Sequence, residues 1–396
     1  MTPDNGCGMD VRDYADWSLG FHQQAAAQRV PISGTVEVTR RCNLTCIHCY
    51  NNLPSSDQKA QRDELTYDEH CQVLDEITDA GCLWLLYTGG EPFVRKDFLD
   101  IYTYAKQKGL LITVFTNGTL ISPKTADYLA QWRPFAIEIT VYGRTRETYE
   151  GVTGISGSYG RCMRGIRLLK ERGLPLKLKT MAIKPNIHEL WEMKQFVEED
   201  LGLEFKFDAM INARFDSSRG PLAVRLTPKE VVELDLMDPH RALEWKRFDE
   251  RFTCQANSSE KADELYQCGG GINSFAIDPY GMLRLCILSQ NPSYNLREGR
   301  FQEGWQEFIL DLRQTKVTRH SKCVACNIKA MCGMCPANGE LENRDPEEPI
   351  DFFCQVAHLR AYAFEIPVPP HGECEYCKGG SRYGELMQMV EKLARK

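Results

Sequence analysis

Three cysteines lie close together in Arg41-Cys42-Asn43-Leu44-Thr45-Cys46-Ile47-His48-Cys49-Tyr50, at the spacing C-x3-C-x2-C. A loop of that spacing can close three thiolates around one face of an iron-sulfur cube, and thiolates are soft ligands that suit such clusters. Three protein ligands leave the fourth iron open for a substrate or cofactor, whereas four-cysteine sites usually carry electrons or hold structure. On spacing alone, a partial zinc site is the alternative. The stretch Thr88-Gly89-Gly90-Glu91-Pro92 offers different chemistry. Its two glycines let a backbone approach a ligand closely, and the Glu91 carboxylate can accept from an ammonium group. A second sulfur system begins at Cys268 and Cys286, continues through Cys323-x2-Cys326-x5-Cys332-x2-Cys335, and reaches Cys354. Its two C-x2-C pairs are also zinc-like. Further on, Cys374-Glu375-Tyr376-Cys377 with His371 nearby leaves three uses open: an extra metal contact, a redox pair, or unligated thiols. Cys7, Cys71, Cys82 and Cys162 read as packed or incidental, and His70 as an ordinary helix residue.

The elements that must position these groups alternate. A β-branched run, Gly34 to Thr39, reads as a strand leading into the cysteine loop. Thr66 and Glu69 form a capping pattern that opens a helix carrying Val73, Leu74 and Ile77. Cys82 to Tyr87 reads as a buried strand ending in the Gly-Gly-Glu-Pro turn. Then follow a helix near 97–108, a strand at Leu111–Phe115, a helix near 122–131, a strand at Phe135–Val141, two helical stretches, a strand at Leu176–Met181, a helix opened by Asn186, and a strand at Glu204–Asp208. Six strands alternating with helices across roughly 34–210 predict an α/β fold whose parallel units curl into a barrel, left open because there are six rather than eight. Function in barrels collects at the C-terminal strand ends, where Thr116 and Asn117 lie. Glu138 and Thr140 alternate along one strand and so share a face. Residues 211–253 read as a connection, in which Thr227 and Pro228 start a helix. Near the second sulfur system, Ser274–Ile277 and Met282–Leu285 flank the turn Asp278-Pro279-Tyr280-Gly281, a hairpin expected to bring Cys268 and Cys286 together.

At 396 residues, the chain exceeds the usual size of a single core, so one large domain and a smaller one are expected. A net charge of −7 gives no global basic footprint for nucleic acid. No apolar run is long enough to span a bilayer, and the N-terminus has no secretory pattern. Seventeen cysteines in such a chain argue for a cytoplasmic protein that uses its thiols on metal, because the cytosol keeps thiols reduced.

The cysteine loop followed by Tyr50, with the Gly-Gly-Glu-Pro turn at the end of the next strand, resembles the radical S-adenosylmethionine (SAM) enzymes. The C-terminal cysteines resemble the SPASM extension of that family, with x2 rather than the commoner x3 between Cys332 and Cys335. The resemblance runs from residue 34 to residue 354 and implies a partial (β/α)6 TIM-like barrel at 34–210. It also implies an N-terminal arm at 1–33, a SPASM domain at 254–365, and a tail at 366–396. It implies SAM and three 4Fe-4S clusters: one on Cys42, Cys46 and Cys49; one on Cys268, Cys286 and Cys335, with Cys254, Cys374, Cys377 or an open iron completing it; and one on Cys323, Cys326, Cys332 and Cys354. SAM contacts are expected from Tyr50, Gly89, Gly90, Glu91, Pro92, Thr116, Asn117, Glu138, Thr140 and Asn186. Tyr142-Gly143 stands where many relatives have Asp-Gly, so an acidic contact is not expected there. No catalytic acid or base can be named. The implied activity is reductive cleavage of SAM to a 5'-deoxyadenosyl radical that oxidatively modifies or crosslinks a peptide. A sulfatase-type maturase, a tetrapyrrole-modifying enzyme and a non-enzymatic electron carrier or sensor are the alternatives. Implied partners are a peptide or protein substrate, a separate leader-binding protein, and an electron donor such as a flavodoxin or ferredoxin.

Overall fold

The computed structural model describes residues 14–51, 53–252 and 263–394. Cys7, Cys254 and the expected boundary at 253 lie outside the described residues. Helix α1 (Tyr14–Ala27) packs against the start of an inner strand, with the rings of Phe21 and His22 5.8 and 5.1 Å from Trp84. Six strands then run parallel and pair in chain order: β1 (Ser33–Thr39), β2 (Trp84–Gly89), β3 (Leu111–Thr116), β4 (Ala136–Thr140), β5 (Leu176–Met181) and β6 (Glu204–Asp208). The registers include Gly34↔Leu85, Leu85↔Ile112, Val114↔Ile137, Ile139↔Leu178 and Lys179↔Lys206. Between them lie α2 (Tyr67–Asp79), α3 (Phe98–Gln107), α4 (Pro123–Gln131), α5 (Arg146–Thr153), α6 (Ser158–Glu171) and α7 (Leu190–Gln195).

Local sequence explains several of these boundaries. Thr66 and Glu69 form the expected capping box on α2, and Ser122 and Thr145 cap α4 and α5 through their hydroxyls. β2 begins two residues later than the apolar run suggests, because the Cys82 N–H still bonds the Ile77 carbonyl at the end of α2. Along β3, Ile112, Val114 and Thr116 are buried while Leu111, Thr113 and Phe115 are half-buried, the period-two pattern of a strand. Ile112 and Val114 join Ile101, Tyr102 and Leu129 in the main core.

The barrel is not closed. β6 has a strand neighbour on one side only, and the far edge, β1, pairs in parallel with β7 (Ser274–Ile277), from Ser33↔Ser274 to Val36↔Ile277. β8 (Met282–Arg284) and β9 (Tyr294–Asn295) follow antiparallel, giving a nine-stranded sheet. The hairpin expected from the turn at 278–281 thus exists, but it extends the barrel's own sheet.

After β6 come α8 (Pro228–Met237), with a capping box at Thr227 and Glu230, and α9 (Pro239–Phe252). The C-terminal region adds α10 (Pro336–Asn343), α11 (Asp351–Ala363) and α12 (Tyr383–Ala394). α11 is fixed to α8 by a buried network. Asp235 accepts from Arg360 Nε and Nη2 at 2.9 and 2.7 Å on one oxygen, and from Arg241 Nε and Nη2 at 3.0 and 2.6 Å on the other. Asp235→Ala would strand two guanidinium groups, one of them wholly buried. We therefore expect a loss of about 3–5 kcal/mol in chemical denaturation; a change under 1 kcal/mol would mean the network adds little.

Candidate active site

The cysteine loop leaves the C-terminal end of β1 and is held from two sides. On one, the Gly90 N–H donates to the Thr39 carbonyl at 2.7 Å and the Glu91 N–H to the Arg41 carbonyl at 2.9 Å. Gly89 has φ +141°, and a Cβ there would lie 2.1 Å from the Thr39 carbonyl oxygen; one on Gly90 would lie 2.3 Å from that of Arg41. The close approach that demands these glycines is therefore to the chain's own backbone at the root of the loop. On the other side, the N–H groups of Thr45 and Ile47 donate to the carbonyls of Thr153 and Val152 at the end of α5, at 2.9 and 3.1 Å. Arg41 anchors the base, donating from Nε and Nη2 to Glu64, both at 2.9 Å. Gly89→Ala should displace the loop and lower SAM cleavage at least tenfold, by clash and by the roughly 1–2 kcal/mol cost of positive φ. The check is 5'-deoxyadenosine release; wild-type rates would mean the junction tolerates a side chain.

The loop gathers its three thiols. Burial first, then the charge of Glu91, pushes Cys42 up to about 12; burial and the other two sulfurs hold Cys46 well above the usual thiol range; and burial raises Cys49. Bare thiolates are disfavoured here, and a cationic metal group would reverse that. The Leu44 N–H points at Cys42 Sγ and the Asn51 N–H at Cys49 Sγ, both at 3.4 Å, and Asn117 Nδ2 lies 3.7 Å from Cys42 Sγ. His48, buried between the second and third cysteines, has its Nδ1 without a hydrogen-bond partner among the described residues, and burial lowers its pKa to about 4. Its ring lies 4.8 Å from that of Tyr142. Three soft donors ringed by N–H groups, with an orphaned polar atom beside them, fit an iron-sulfur cluster carrying a ligand.

Glu91 is fully buried and tied to the next strand end. Its carboxylate accepts from Thr116 Oγ1 at 2.7 Å, the Asn117 N–H at 2.7 Å and the Phe93 N–H at 3.2 Å. Burial nevertheless pushes its pKa up to about 7. Asn117 also donates from Nδ2 to Asn43 Oδ1 at 3.0 Å, linking the turn after β3 to the cysteine loop. Pro92 is buried in the first turn of a short helix beyond Glu91. Tyr50 turns aside onto the Phe215 ring, 5.0 Å away.

Glu138 and Thr140 do share the barrel's half-open face. Glu138 accepts from Lys179 Nζ at 3.0 Å, and burial lowers Lys179 to about 8. Glu204 on β6 pairs with Lys177 and Lys206 at 2.7 and 2.8 Å, so the interior carries a band of charge across β4 to β6. Asn186 is placed differently. Fully buried, its amide donates to the Tyr142 and Met181 carbonyls at 3.2 and 3.0 Å, and its oxygen accepts from the Ile183 N–H at 2.9 Å. That side chain holds the turn after β5.

In the C-terminal region Cys268, Cys286 and Cys335 are electrostatic neighbours; burial, with the first two adding, pushes Cys335 up to about 11. Cys332 is pushed to about 12 by burial, with Cys326 and Cys323 adding. A cavity of about 470 Å³ is lined by Cys268, Cys323, Cys326, Cys332, Cys335 and Cys354. The hairpin and knot thus converge as their spacing suggests. Sequence reasoning missed Asn43, His48, Asn51 and the α5 terminus. His48 lies between two of the cysteines and could have been noticed; the α5 contacts span more than a hundred residues and left no local signal.

Residues 36–197 match the Radical SAM superfamily. The AdoMet-dependent heme synthase of Methanosarcina barkeri is 25% identical over 343 residues, covering 79% of this chain and 94% of its own length. The antilisterial bacteriocin subtilosin biosynthesis protein AlbA of Bacillus subtilis is 26% identical over 323 residues, covering 80% of this chain and 69% of its own. SuiB of Streptococcus suis, solved bound to its precursor peptide SuiA, superposes with a TM-score of 0.62 at 17% identity over 90% of this chain and 84% of that one, a likeness of fold. An open parallel barrel with three thiols at the mouth of β1 and this family match together make the chain a radical SAM enzyme, whose cofactors are SAM and a 4Fe-4S cluster. Within that superfamily it is a homologue of SPASM-type peptide maturases and also of heme synthases, with a cysteine-rich C-terminal region. Among the described residues, no helix is long and apolar enough to cross a membrane.

Proposed function

We infer that Cys42, Cys46 and Cys49 ligate the catalytic 4Fe-4S cluster, and that the enzyme oxidatively modifies or crosslinks a peptide at the mouth of the open barrel. The gathering of three raised thiols against the Gly-Gly-Glu turn carries this reading. SAM bound to the reduced cluster supplies a 5'-deoxyadenosyl radical that takes hydrogen from an unactivated carbon. The chain's residues do the positioning. Gly89, Gly90 and Glu91 fix the loop and present an anionic acceptor. Asn117 and Asn43 tie that acceptor to the thiols. Pro92, Thr116, Glu138 and Thr140 shape the cofactor's side of the barrel, with Tyr50 and Asn186 supporting its rim. Cys268, Cys286 and Cys335, and separately Cys323, Cys326, Cys332 and Cys354, would hold two auxiliary clusters that accept the substrate's electron; potentials set by ligation and exposure govern that direction.

A peptide substrate is supported by the relation to the subtilosin biosynthesis protein and by a sheet left open at β6. Modification of a tetrapyrrole is a second reading, favoured by the M. barkeri heme synthase, which aligns over nearly its whole length, and by Lys177, Lys179 and Lys206 on the interior face, which suit carboxylates. The test is mass spectrometry of short precursor peptides encoded beside the gene, co-expressed with this chain and with or without the small neighbouring protein. A mass loss in whole hydrogens, or a crosslink, is expected, together with a dependence on the small protein as a leader-binding partner. Unmodified peptides alongside turnover of an iron or free porphyrin would replace the peptide reading with the tetrapyrrole one.

A further inference from the structure

Four metal-binding side chains left unassigned by the two cysteine systems converge beside the second, sharing its cavity, with Cys374 against Cys354 and His371 against Cys326. His358 comes from α11; His371, Cys374 and Cys377 come from the segment that follows. Their ligand atoms all lie within 4.8 Å of one another, and all four residues are buried, His358 at 1% exposure and Cys377 at 3%. Cys374 Sγ is 3.4 Å and Cys377 Sγ 3.7 Å from His358 Nε2, and Cys377 Sγ is 3.5 Å from His371 Nδ1 and 3.8 Å from its Nε2. A tetrahedral ion with bonds of about 2.3 Å to sulfur and 2.0–2.1 Å to nitrogen sets its sulfur and nitrogen ligands about 3.5 Å apart. The three sulfur–nitrogen edges seen are close to that value, and all four ligand atoms lie within reach of one ion. Among the described residues no other group of three or more His, Cys, Asp or Glu side chains closes this tightly.

The outer contacts agree. His358 Nδ1 lies 2.8 Å from the Cys354 carbonyl and His371 Nδ1 3.0 Å from the Pro369 carbonyl. With its Nδ1–H donated to the Cys354 carbonyl, His358 is left with Nε2 as the lone-pair donor, the arrangement seen around metal-bound histidines, while both nitrogens of His371 face Cys377 Sγ. The two cysteines form a C-x2-C turn in which the Cys377 N–H reaches the Cys374 carbonyl and the Gly380 N–H the Cys377 carbonyl, at 3.4 and 2.8 Å. We propose that His358, His371, Cys374 and Cys377 bind one zinc ion in a closed structural site that clasps the tail to α11. With four protein ligands the site keeps no open position, so its work is mechanical. Because Cys354 stands one turn before His358 on the same helix, the clasp would also fix where that cysteine faces the sulfur-lined cavity. A redox disulfide between Cys374 and Cys377 would leave two buried imidazoles facing it without purpose. A two-iron centre with cysteines on one iron and histidines on the other would separate the sulfurs from the nitrogens more than is seen.

The full chain, purified anaerobically, should contain about one zinc beside its iron. X-ray absorption at the zinc edge should show two sulfurs at about 2.3 Å and two nitrogens at about 2.0–2.1 Å. Cys374→Ser/Cys377→Ser and His358→Ala should each lose the zinc and keep the iron. Absence of zinc, a shell of sulfur only or of nitrogen and oxygen only, or a fall in iron rather than zinc in the variants would overturn the proposal. The absorption measurement on the unsubstituted chain decides the matter even if the variants fold poorly. Any of these results leaves the reading of the Cys42–Cys49 loop untouched, since that is read by SAM cleavage.

Discussion

Replacing Cys42, Cys46 and Cys49 together by alanine should remove about four irons per chain and abolish SAM cleavage, while leaving a folded protein. The thiols are buried and held high in pKa, Cys42 at about 12, so in the metal-free fold they are neutral and their removal breaks no ion pair. The loop's backbone is fixed by other means, through Thr153, Val152 and the Arg41–Glu64 pair. Iron analysis and 5'-deoxyadenosine assays on the reduced protein check this. With all three clusters of the proposed reading in place, iron should fall by about a third, the C-terminal cysteines keeping theirs. Release of 5'-deoxyadenosine by the triple variant would place the catalytic cluster elsewhere.

Glu91→Gln should weaken SAM binding by about ten- to a hundredfold, the worth of one charge-assisted hydrogen bond of roughly 1.5–3 kcal/mol. The geometry adds a second consequence. The wild-type carboxylate accepts from Thr116 and Phe93 on one oxygen and from Asn117 on the other; Gln keeps one acceptor oxygen and sets an NH2 donor at the other position, so one side of this network is lost and the turn after β3 should loosen too. The pH dependence separates the two effects. The carboxyl titrates at about 7, raised by burial, so its protonated form is the one the ligand-free fold favours; that contribution is complete below the ordinary carboxylate range and is lost as pH rises through 7. A ligand amine donating to Glu91 favours the ionised form, so SAM affinity should climb between pH 6 and 8 in the wild type and stay flat in the variant. Parallel profiles measured by equilibrium binding would assign Glu91 a purely architectural role.

The βα alternation was legible because each strand carries its own signal, either period-two burial, as in Leu176–Met181, or a short apolar run such as Trp84–Tyr87. The capping box at Thr66 and the Thr227 cap before Pro228 carry their chemistry within four residues and were equally plain, whereas the Glu230 half of the second box appears only in the fold. What stayed hidden depends on contacts distant in sequence. Nothing local in Ser274–Ile277 says that its partner is Ser33–Val36, and nothing near Cys46 points to Thr153. The glycines of the turn suggested a close approach to a ligand, and the approach the fold displays is to the chain's own backbone. Asn186 has a local use that its position at a strand's end did not announce: its amide satisfies backbone groups of its own turn. The tail's C-x2-C stayed ambiguous because one of its neighbours, His358, arrives from a helix sixteen residues earlier.

The parallel pairing of β1 with β7 also bears on how the protein is made. The strand that leads into the cysteine loop leaves the ribosome well before Ser274–Ile277, which among the described residues is the strand that covers its outer edge. At 5–20 residues per second, that edge waits roughly 10–50 s for its partner. During the interval it is an unpaired strand with free N–H and C=O groups, a template for pairing with other chains. A nascent chain released before residue 274 should therefore aggregate, whereas one carrying β7 to β9 should stay in solution; sedimentation of timed translation products would distinguish them. Metal loading of the early loop is accordingly expected late, after the last third of the sequence has docked and closed the sheet beside it.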